Sequence, residues 1–162
     1  MGWKRDHNGE IPHHAVLAGY DRDNSPLYVG RAHYNGDMIP GKINPNHGRL
    51  YVSYGGKEHG VSHYEVLKNS DKYLWVHSRN GHRESGAVSG GRQSDGTKLY
   101  IGRATMHGAT VIGKVHPGHG CLYVPYGGDE HKLHEYELLV KHEHHRRHRH
   151  HRHSSSSDTD SD

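Results

Sequence analysis

Two Glu-His pairs recur in the chain and are the first candidates for chemistry. Glu58-His59 and Glu130-His131 each follow two consecutive glycines. A carboxylate beside an imidazole can act as a general acid and base, because histidine titrates near neutral pH. The same pattern also fits a turn in which the glycines adopt positive φ while Glu and His bind the backbone. Since the feature is duplicated, we favour the structural interpretation.

Paired carboxylates are a second route to catalysis. Glu58 and Glu65 could form the carboxyl pair of a glycoside hydrolase, but the sequence does not define the distance between them. It also shows neither a phosphate-binding loop nor an activated nucleophile. We therefore expect a protein that is not an enzyme.

A histidine-rich and arginine-rich tract near the end of the chain could bind metal. Closely spaced neutral imidazoles bind Zn²⁺, Cu²⁺ or Ni²⁺, although no spacing here defines a closed structural site. The candidate ligands are His144, His145, His148, His150, His151 and His153. Two other interpretations stay open: a pH-sensitive polycation that adheres to acidic membranes or nucleic acid, and a solvated tail without a dedicated role. Residues 142–162 cannot pack, so we expect a disordered tail.

The rest of the chain is a tandem duplication. A shift of 72 positions aligns the sequence with itself without a gap, and Trp3 then falls on Trp75. Matches continue along nearly the whole unit, among them Gly30-Arg31-Ala32 with Gly102-Arg103-Ala104, Leu50-Tyr51-Val52 with Leu122-Tyr123-Val124, and Tyr64-Glu65 with Tyr136-Glu137. We assign residues 1–69 to the first repeat and 70–141 to the second.

Each repeat is predicted to be all-β. Short runs rich in β-formers are bounded by Gly, Pro or Asn, and no window shows a clean helical period. The predicted strands, about ten in all, are 15–20, 26–32, 38–43, 49–54, 72–77, 87–91, 98–106, 110–115, 121–126 and 135–140. Asn35-Gly36 and Asn80-Gly81 predict tight turns. One repeat alone would be marginally stable, so we expect two antiparallel modules with pseudo-twofold symmetry that share a core, by exchange of strands or otherwise.

Composition restricts the setting in which the protein works. The net charge of +3 is modest, Cys121 is the only cysteine, and no segment is apolar enough for a membrane span. The N-terminus lacks the apolar region of a signal peptide. We expect a reducing, cytoplasmic location, with vesicle association or release without a signal peptide as alternatives.

The ordered motifs resemble the DM-nine repeat, tandem pairs of which form mannose-binding lectins of bivalve molluscs. The resemblance covers residues 3 to about 140 and rests on Gly9-Glu10-Ile11-Pro12, Ala18-Gly19-Tyr20-Asp21, Tyr28-Val29-Gly30-Arg31-Ala32, Pro40-Gly41-Lys42 and Tyr54-Gly55-Gly56-Lys57-Glu58-His59. It implies metal-independent sugar binding, no required cofactor and a homodimer. It also implies that Asp21 and Lys42 are the main sugar contacts.

An Asp–Lys pair is a reasonable minimal clamp for a hexose. The carboxylate accepts hydrogen bonds from adjacent hydroxyls, and the ammonium donates to their oxygens. Asp37, close in sequence to Lys42, is a plausible additional acceptor. Without the resemblance, the same pair would more often be a surface salt bridge.

The second repeat departs from this pattern. Lys114 matches Lys42, but Gln93 occupies the position of Asp21 and brings no charge. Asp95 lies nearby and could substitute. We therefore predict a strong first site and a weaker or altered second one.

Two functions follow from these residues. The first is a lectin for mannose-like sugars that recognises microbial glycans in innate immunity, with no specific nucleic-acid partner. The alternative is a cytoplasmic or vesicle-associated interaction protein whose histidine-rich tail binds divalent metal or makes peripheral contact with acidic membranes.

Overall fold

The structure is a computed structural model that describes residues 2–142. Its strands are β1 (Trp3–His7), β2 (Leu17–Tyr20), β3 (Pro26–Tyr34), β4 (Asp37–Asn44), β5 (Arg49–Tyr54), β6 (Lys57–Val61), β7 (His63–Leu67), β8 (Tyr73–Arg79), β9 (Ser89–Arg92), β10 (Lys98–Met106), β11 (Ala109–His116), β12 (Cys121–Tyr126), β13 (Asp129–Leu133) and β14 (Glu135–Lys141). Single 3₁₀ turns occupy Ser70–Lys72 and Pro117–His119. The all-β prediction is confirmed.

The strand order shows the pseudo-twofold symmetry directly. The 14-stranded sheet runs β1-β7-β3-β4-β5-β6 through the first repeat and then β13-β12-β11-β10-β14-β8 through the second. The second half repeats the first in reverse order, so the symmetry axis passes between β6 and β13, where Lys57 pairs with Asp129. All the pairings are antiparallel, as expected for strands joined by short turns.

Four strands were missing from the predicted set: β1, β6, β7 and β13. Most residues of β1, β6 and β13 are polar, and the Asp, Glu, Lys and Gly among them have low intrinsic β propensity. They are strands because hairpin and edge pairing determines their conformation, as in β5–β6, where the turn residues Gly55 and Gly56 have φ of 61° and 84°.

The two remaining strands join the repeats. Strand β9 pairs with β10 of its own repeat and with β4 of the other, through Met38 and Arg92. Strand β2 pairs with β3, and its Tyr20 backbone N–H donates to Thr110 Oγ1 on β11 at 3.1 Å. The strands β2, β3, β4, β9, β10 and β11 thus enclose a common interior.

That interior is the shared core expected from the composition. Its buried side chains come from both repeats: Val16, Ala18, Leu27, Val29 and Leu67 from the first, and Val88, Ile101, Ile112 and Leu139 from the second. Separate clusters lie within each repeat, around Leu50 and Val66 in the first and around Leu122 and Leu138 in the second. Burial of apolar surface by both copies at once stabilises units too small to do so separately. Within the described residues, no helix is long and apolar enough to cross a membrane.

Candidate functional site

The candidate site in the first repeat is built around Lys42. This side chain projects from β4 opposite Tyr51 of β5 and is only 5% exposed. Burial lowers the pKa of Lys42, while the carboxylates of Glu58 and Asp21 act in the opposite direction. The structure therefore brings Asp21 and Lys42 into one electrostatic neighbourhood.

The Asp21 carboxylate is held in a defined orientation. Its Oδ1 accepts the Arg22 backbone N–H at 2.9 Å, and its Oδ2 accepts the Asn44 side-chain amide at 3.0 Å. The turn that follows is closed by backbone hydrogen bonds from Asp21 N–H to Ser25 O and from Asn24 N–H to Asp21 O. Each carboxylate oxygen keeps a lone pair for a further donor.

Lys42 and Asp21 interact electrostatically, without an ion pair within 4.0 Å. Among residues 2–142, Lys42 makes no ion pair within 4.0 Å, and its Nζ lies 5.4 Å from the centre of the Tyr126 ring of the other repeat. The ammonium thus lies beside an aromatic ring and within the electrostatic reach of a carboxylate that is held in place. Such a setting suits a small molecule with adjacent hydroxyls.

The equivalent lysine of the second repeat is bound more tightly. Lys114 Nζ donates to Ser53 O at 2.8 Å and lies 3.3 Å from Glu130 Oε2, with side-chain exposures of 10% and 11% for the ion pair. The Tyr54 and Tyr123 rings lie 5.6 and 5.7 Å from the same Nζ. Lys42 has no such ion pair among residues 2–142, so the two sites differ in their surroundings as well as in their ligand residues.

The residues beside Lys114 also differ in chemistry. His116 occupies the position of Asn44 and stacks on His119 with ring centres 3.6 Å apart. Burial lowers the pKa of His116, and the neighbouring His119 adds to that shift. Asp95 acts on His116 electrostatically, although its Oδ1 is engaged by the Thr97 N–H at 2.9 Å.

Asp37 takes part in a contact between the repeats, whereas Gln93 begins a turn equivalent to the one that Asp21 begins in the first repeat. Asp37 is buried and its Oδ1 accepts the Ser94 backbone N–H at 2.9 Å, so it joins the repeats and lies apart from Lys42. Gln93 forms part of the same turn, where its N–H donates to Thr97 O. Neither is brought to a lysine by any hydrogen bond within residues 2–142.

The Glu-His pairs have a structural role that also shapes the site. Glu58 Oε1 accepts the Gly128 N–H at 2.7 Å, and Glu130 Oε1 accepts the Gly56 N–H at 2.9 Å. His59 Nε2 lies 3.0 Å from Tyr54 O. The carboxylates thus bind the turn of the opposite repeat, while Glu58 also acts on Lys42. A gapless self-alignment identifies Glu58 and Glu130 as equivalent, but it does not show that each carboxylate binds the turn of the other repeat.

One group of side chains among residues 2–142 could hold a metal ion. Asp6, His7 and Glu10 place one ligand atom each within 4.8 Å of one another on the surface. The tail histidines His144, His145, His148, His150, His151 and His153 lie outside the described residues.

Fold and site together define an all-β domain made of two closely paired repeats, each with a buried lysine beside a tyrosine of the other repeat. The family model of the DM9 repeat matches residues 1–59 and 21–133. The chain belongs to the DM9 repeat family, which is the DM-nine family of the sequence resemblance.

Curated relatives cover the same region. The chain is 27% identical over 135 residues to Natterin-3 of Thalassophryne nattereri, covering 83% of the chain and 35% of that protein. It is 30% identical over 138 residues to Natterin-4 of the same organism, covering 82% of the chain and 32% of that protein. The chain thus spans about a third of the length of these relatives.

A solved structure shares the fold. The crystal structure of the nematode sperm cell motility protein MFP2B matches with a TM-score of 0.62 at 15% identity, over 86% of this chain and 46% of that one. This likeness concerns the fold alone.

Proposed function

We propose that the chain is a carbohydrate-binding protein that holds mannose-like hexoses between Asp21 and Lys42. The observation that carries the proposal is a carboxylate, oriented by the Arg22 N–H and the Asn44 amide, that acts electrostatically on a buried lysine. Vicinal hydroxyls would donate to Asp21 and accept from Lys42, and Tyr126 would border the ring. No metal ion takes part in this mode of binding.

The two pockets are proposed to be unequal. Lys114 is already bonded to Ser53 O and Glu130, and no carboxylate occupies the position of Asp21. We infer that the first repeat supplies the stronger site. Binding of a monosaccharide is weak, because its hydrogen bonds replace those to water at small net gain. A homodimer would present several pockets and bind a multivalent microbial surface with higher avidity, as a recognition protein of innate immunity requires.

Exchanging residues between the repeats tests the proposal. Asp21→Gln places the second repeat's residue in the first pocket, and Gln93→Asp does the reverse. On a glycan array followed by calorimetry with a methyl mannoside in EDTA, wild type should bind and D21Q should lose at least about tenfold in affinity, equivalent to roughly 1.4 kcal/mol. Q93D should strengthen the second site.

The control is Arg22→Ala, which alters an exposed side chain next to Asp21 but keeps the backbone N–H that binds it. R22A should bind like wild type. Absence of glycan binding by the wild type, or equal binding by D21Q, would refute the assignment. We further propose that the protein is not an enzyme and acts in the cytoplasm or after release without a signal peptide.

A further inference from the structure

Two equivalent grooves cross the outer face of the sheet, one in each half of the molecule. The first groove consists of two adjoining cavities of 310 and 430 Å³ that share Arg31, His33 and Met38. The second groove is a cavity of 620 Å³ around Arg103, the counterpart of Arg31. Duplication made these grooves alike, so any difference between them arose afterwards.

The floors of the grooves are the same. Arg31 lies 4.0 Å above the Trp3 ring and its Nε donates to Glu65 Oε1 at 2.8 Å. Arg103 lies 4.4 Å above the Trp75 ring and donates to Glu137 in the same way at 2.7 Å. Each arginine also donates to a backbone carbonyl of the other repeat, Gly90 O or Ala18 O. The floor residues therefore stabilise the fold and are not free for a ligand.

The rims have diverged in one direction. Arg5 and Arg92 of the first groove correspond to His77 and Tyr20 of the second. His33 and His63 correspond to Thr105 and Glu135. At all four positions the first groove carries the more basic side chain.

The rim substitutions give the two grooves net charges of opposite sign. The first groove has three arginines against the carboxylates of Asp6 and Glu65. The second has Arg103 alone against Glu135 and Glu137. With histidines taken as neutral, one groove is net positive and the other is net negative.

The register places the basic rim in a line across the sheet. His63 pairs with His7, His33 with Met38, and Met38 with Arg92. Arg5 lies on β1 opposite Glu65, and four strand spacings of about 4.8 Å separate β1 from β9, or roughly 19 Å.

These rim groups are available to a ligand. Arg5, His33, His63 and Arg92 are exposed. Within residues 2–142, neither Arg5 nor Arg92 makes an ion pair within 4.0 Å. The guanidinium groups of Arg5 and Arg92, without an ion pair in this range, thus flank the first groove, which is extended and has a polar floor.

We propose that the first groove binds a sulfated polysaccharide chain. Guanidinium groups bind sulfate oxygens in bidentate geometry, and spaced arginines match a ligand with repeating anions. The tyrosine of this groove, Tyr64, is 4% exposed and offers no stacking surface for the bases of a nucleic acid. The site is distinct from the Asp21–Lys42 pocket and does not depend on its assignment.

The test exchanges rim residues between the grooves in the full chain. R5H and R92Y each place the second groove's residue in the first, and the double variant should bind a heparin hexasaccharide at least about tenfold more weakly by calorimetry in low salt. R22A, which removes an exposed arginine elsewhere, is the matched control and should bind like wild type. D21Q should also keep heparin binding, which separates this proposal from the lectin proposal.

A second readout excludes binding by the arginine-rich tail alone. Met38 lies between His33 and Arg92, whereas Met106 lies in the second repeat. In a methyl NMR titration, the Met38 signal should shift on addition of the hexasaccharide, and the Met106 signal should stay in place. Equal affinity of wild type and the double variant, an unmoved Met38 signal, or equal binding of the desulfated hexasaccharide would each overturn the proposal.

Discussion

Removal of the Glu130 carboxylate should destabilise the protein more than removal of its counterpart Glu58. Glu130 binds the Gly56 N–H and lies 3.3 Å from Lys114 Nζ in a nearly buried ion pair, whereas Glu58 binds the Gly128 N–H but makes no ion pair with any residue of the described range 2–142. Loss of one partner from a buried ion pair costs about 3–5 kcal/mol, because the other charge stays desolvated. Loss of a hydrogen bond to a charged acceptor costs about 1.5–3 kcal/mol.

Urea unfolding of the two alanine variants measures the difference. With a slope of about 2 kcal/mol per molar urea, the midpoint should fall by roughly 2 M in Glu130→Ala and by about 1 M in Glu58→Ala. Combining Glu130→Ala with Lys114→Met should restore part of the loss, with a coupling of about 2 kcal/mol in the double-mutant cycle. Equal destabilisation by both alanine variants, or a coupling near zero, would refute the reasoning.

Three further predictions concern Lys42, Tyr123 and Gly41. Burial lowers the pKa of Lys42 below the ordinary lysine value of 10.5, so the ammonium should lose its proton before that pH is reached. The affinity for a hexose, measured in binding titrations, should therefore decline as the pH rises towards 10.5. Constant affinity up to that pH would contradict this prediction. Burial and a hydrogen bond with Cys121 raise the pKa of Tyr123 to about 12, so its contribution to stability should be complete below about pH 10 and lost as the pH rises towards 12. Tyr123→Phe should remove the latest step of an absorbance titration. Gly41→Ala should cost about 1–3 kcal/mol or more in thermal unfolding, because its Cβ would overlap the Tyr51 carbonyl oxygen; Gly60→Ala, which meets a flexible arginine side chain, should cost less.

Sequence patterns could predict the parts of the fold that depend on local composition. The duplication, the alternating β segments and the Asn35-Gly36 turn were all visible, and the structure has them. Strands β6 and β13 were not predicted, because their polar side chains have low β propensity. Their extended conformation results from pairing with a neighbouring strand.

Part of the candidate site was predictable, and part depends on contacts between the repeats. The family motif pointed to Asp21 and Lys42, and the Asp21 carboxylate acts electrostatically on Lys42; their role in sugar binding stays a prediction. Asp37 was expected nearby because it is five positions from Lys42, but in an extended strand that is about 17 Å, and an odd spacing directs the side chains to opposite faces. Tyr126 at Lys42 comes from the other repeat, at a sequence distance that no local pattern covers.

The crossed carboxylates of Glu58 and Glu130 limit how this domain can be divided or recombined. Each candidate site takes its lysine from one copy and a tyrosine ring from the other, so a single repeat expressed alone would present half of a site and an open core. Gene fusions or truncations that preserve one copy should therefore yield no working unit. The smallest part of this protein that can form a complete site is therefore the pair of repeats.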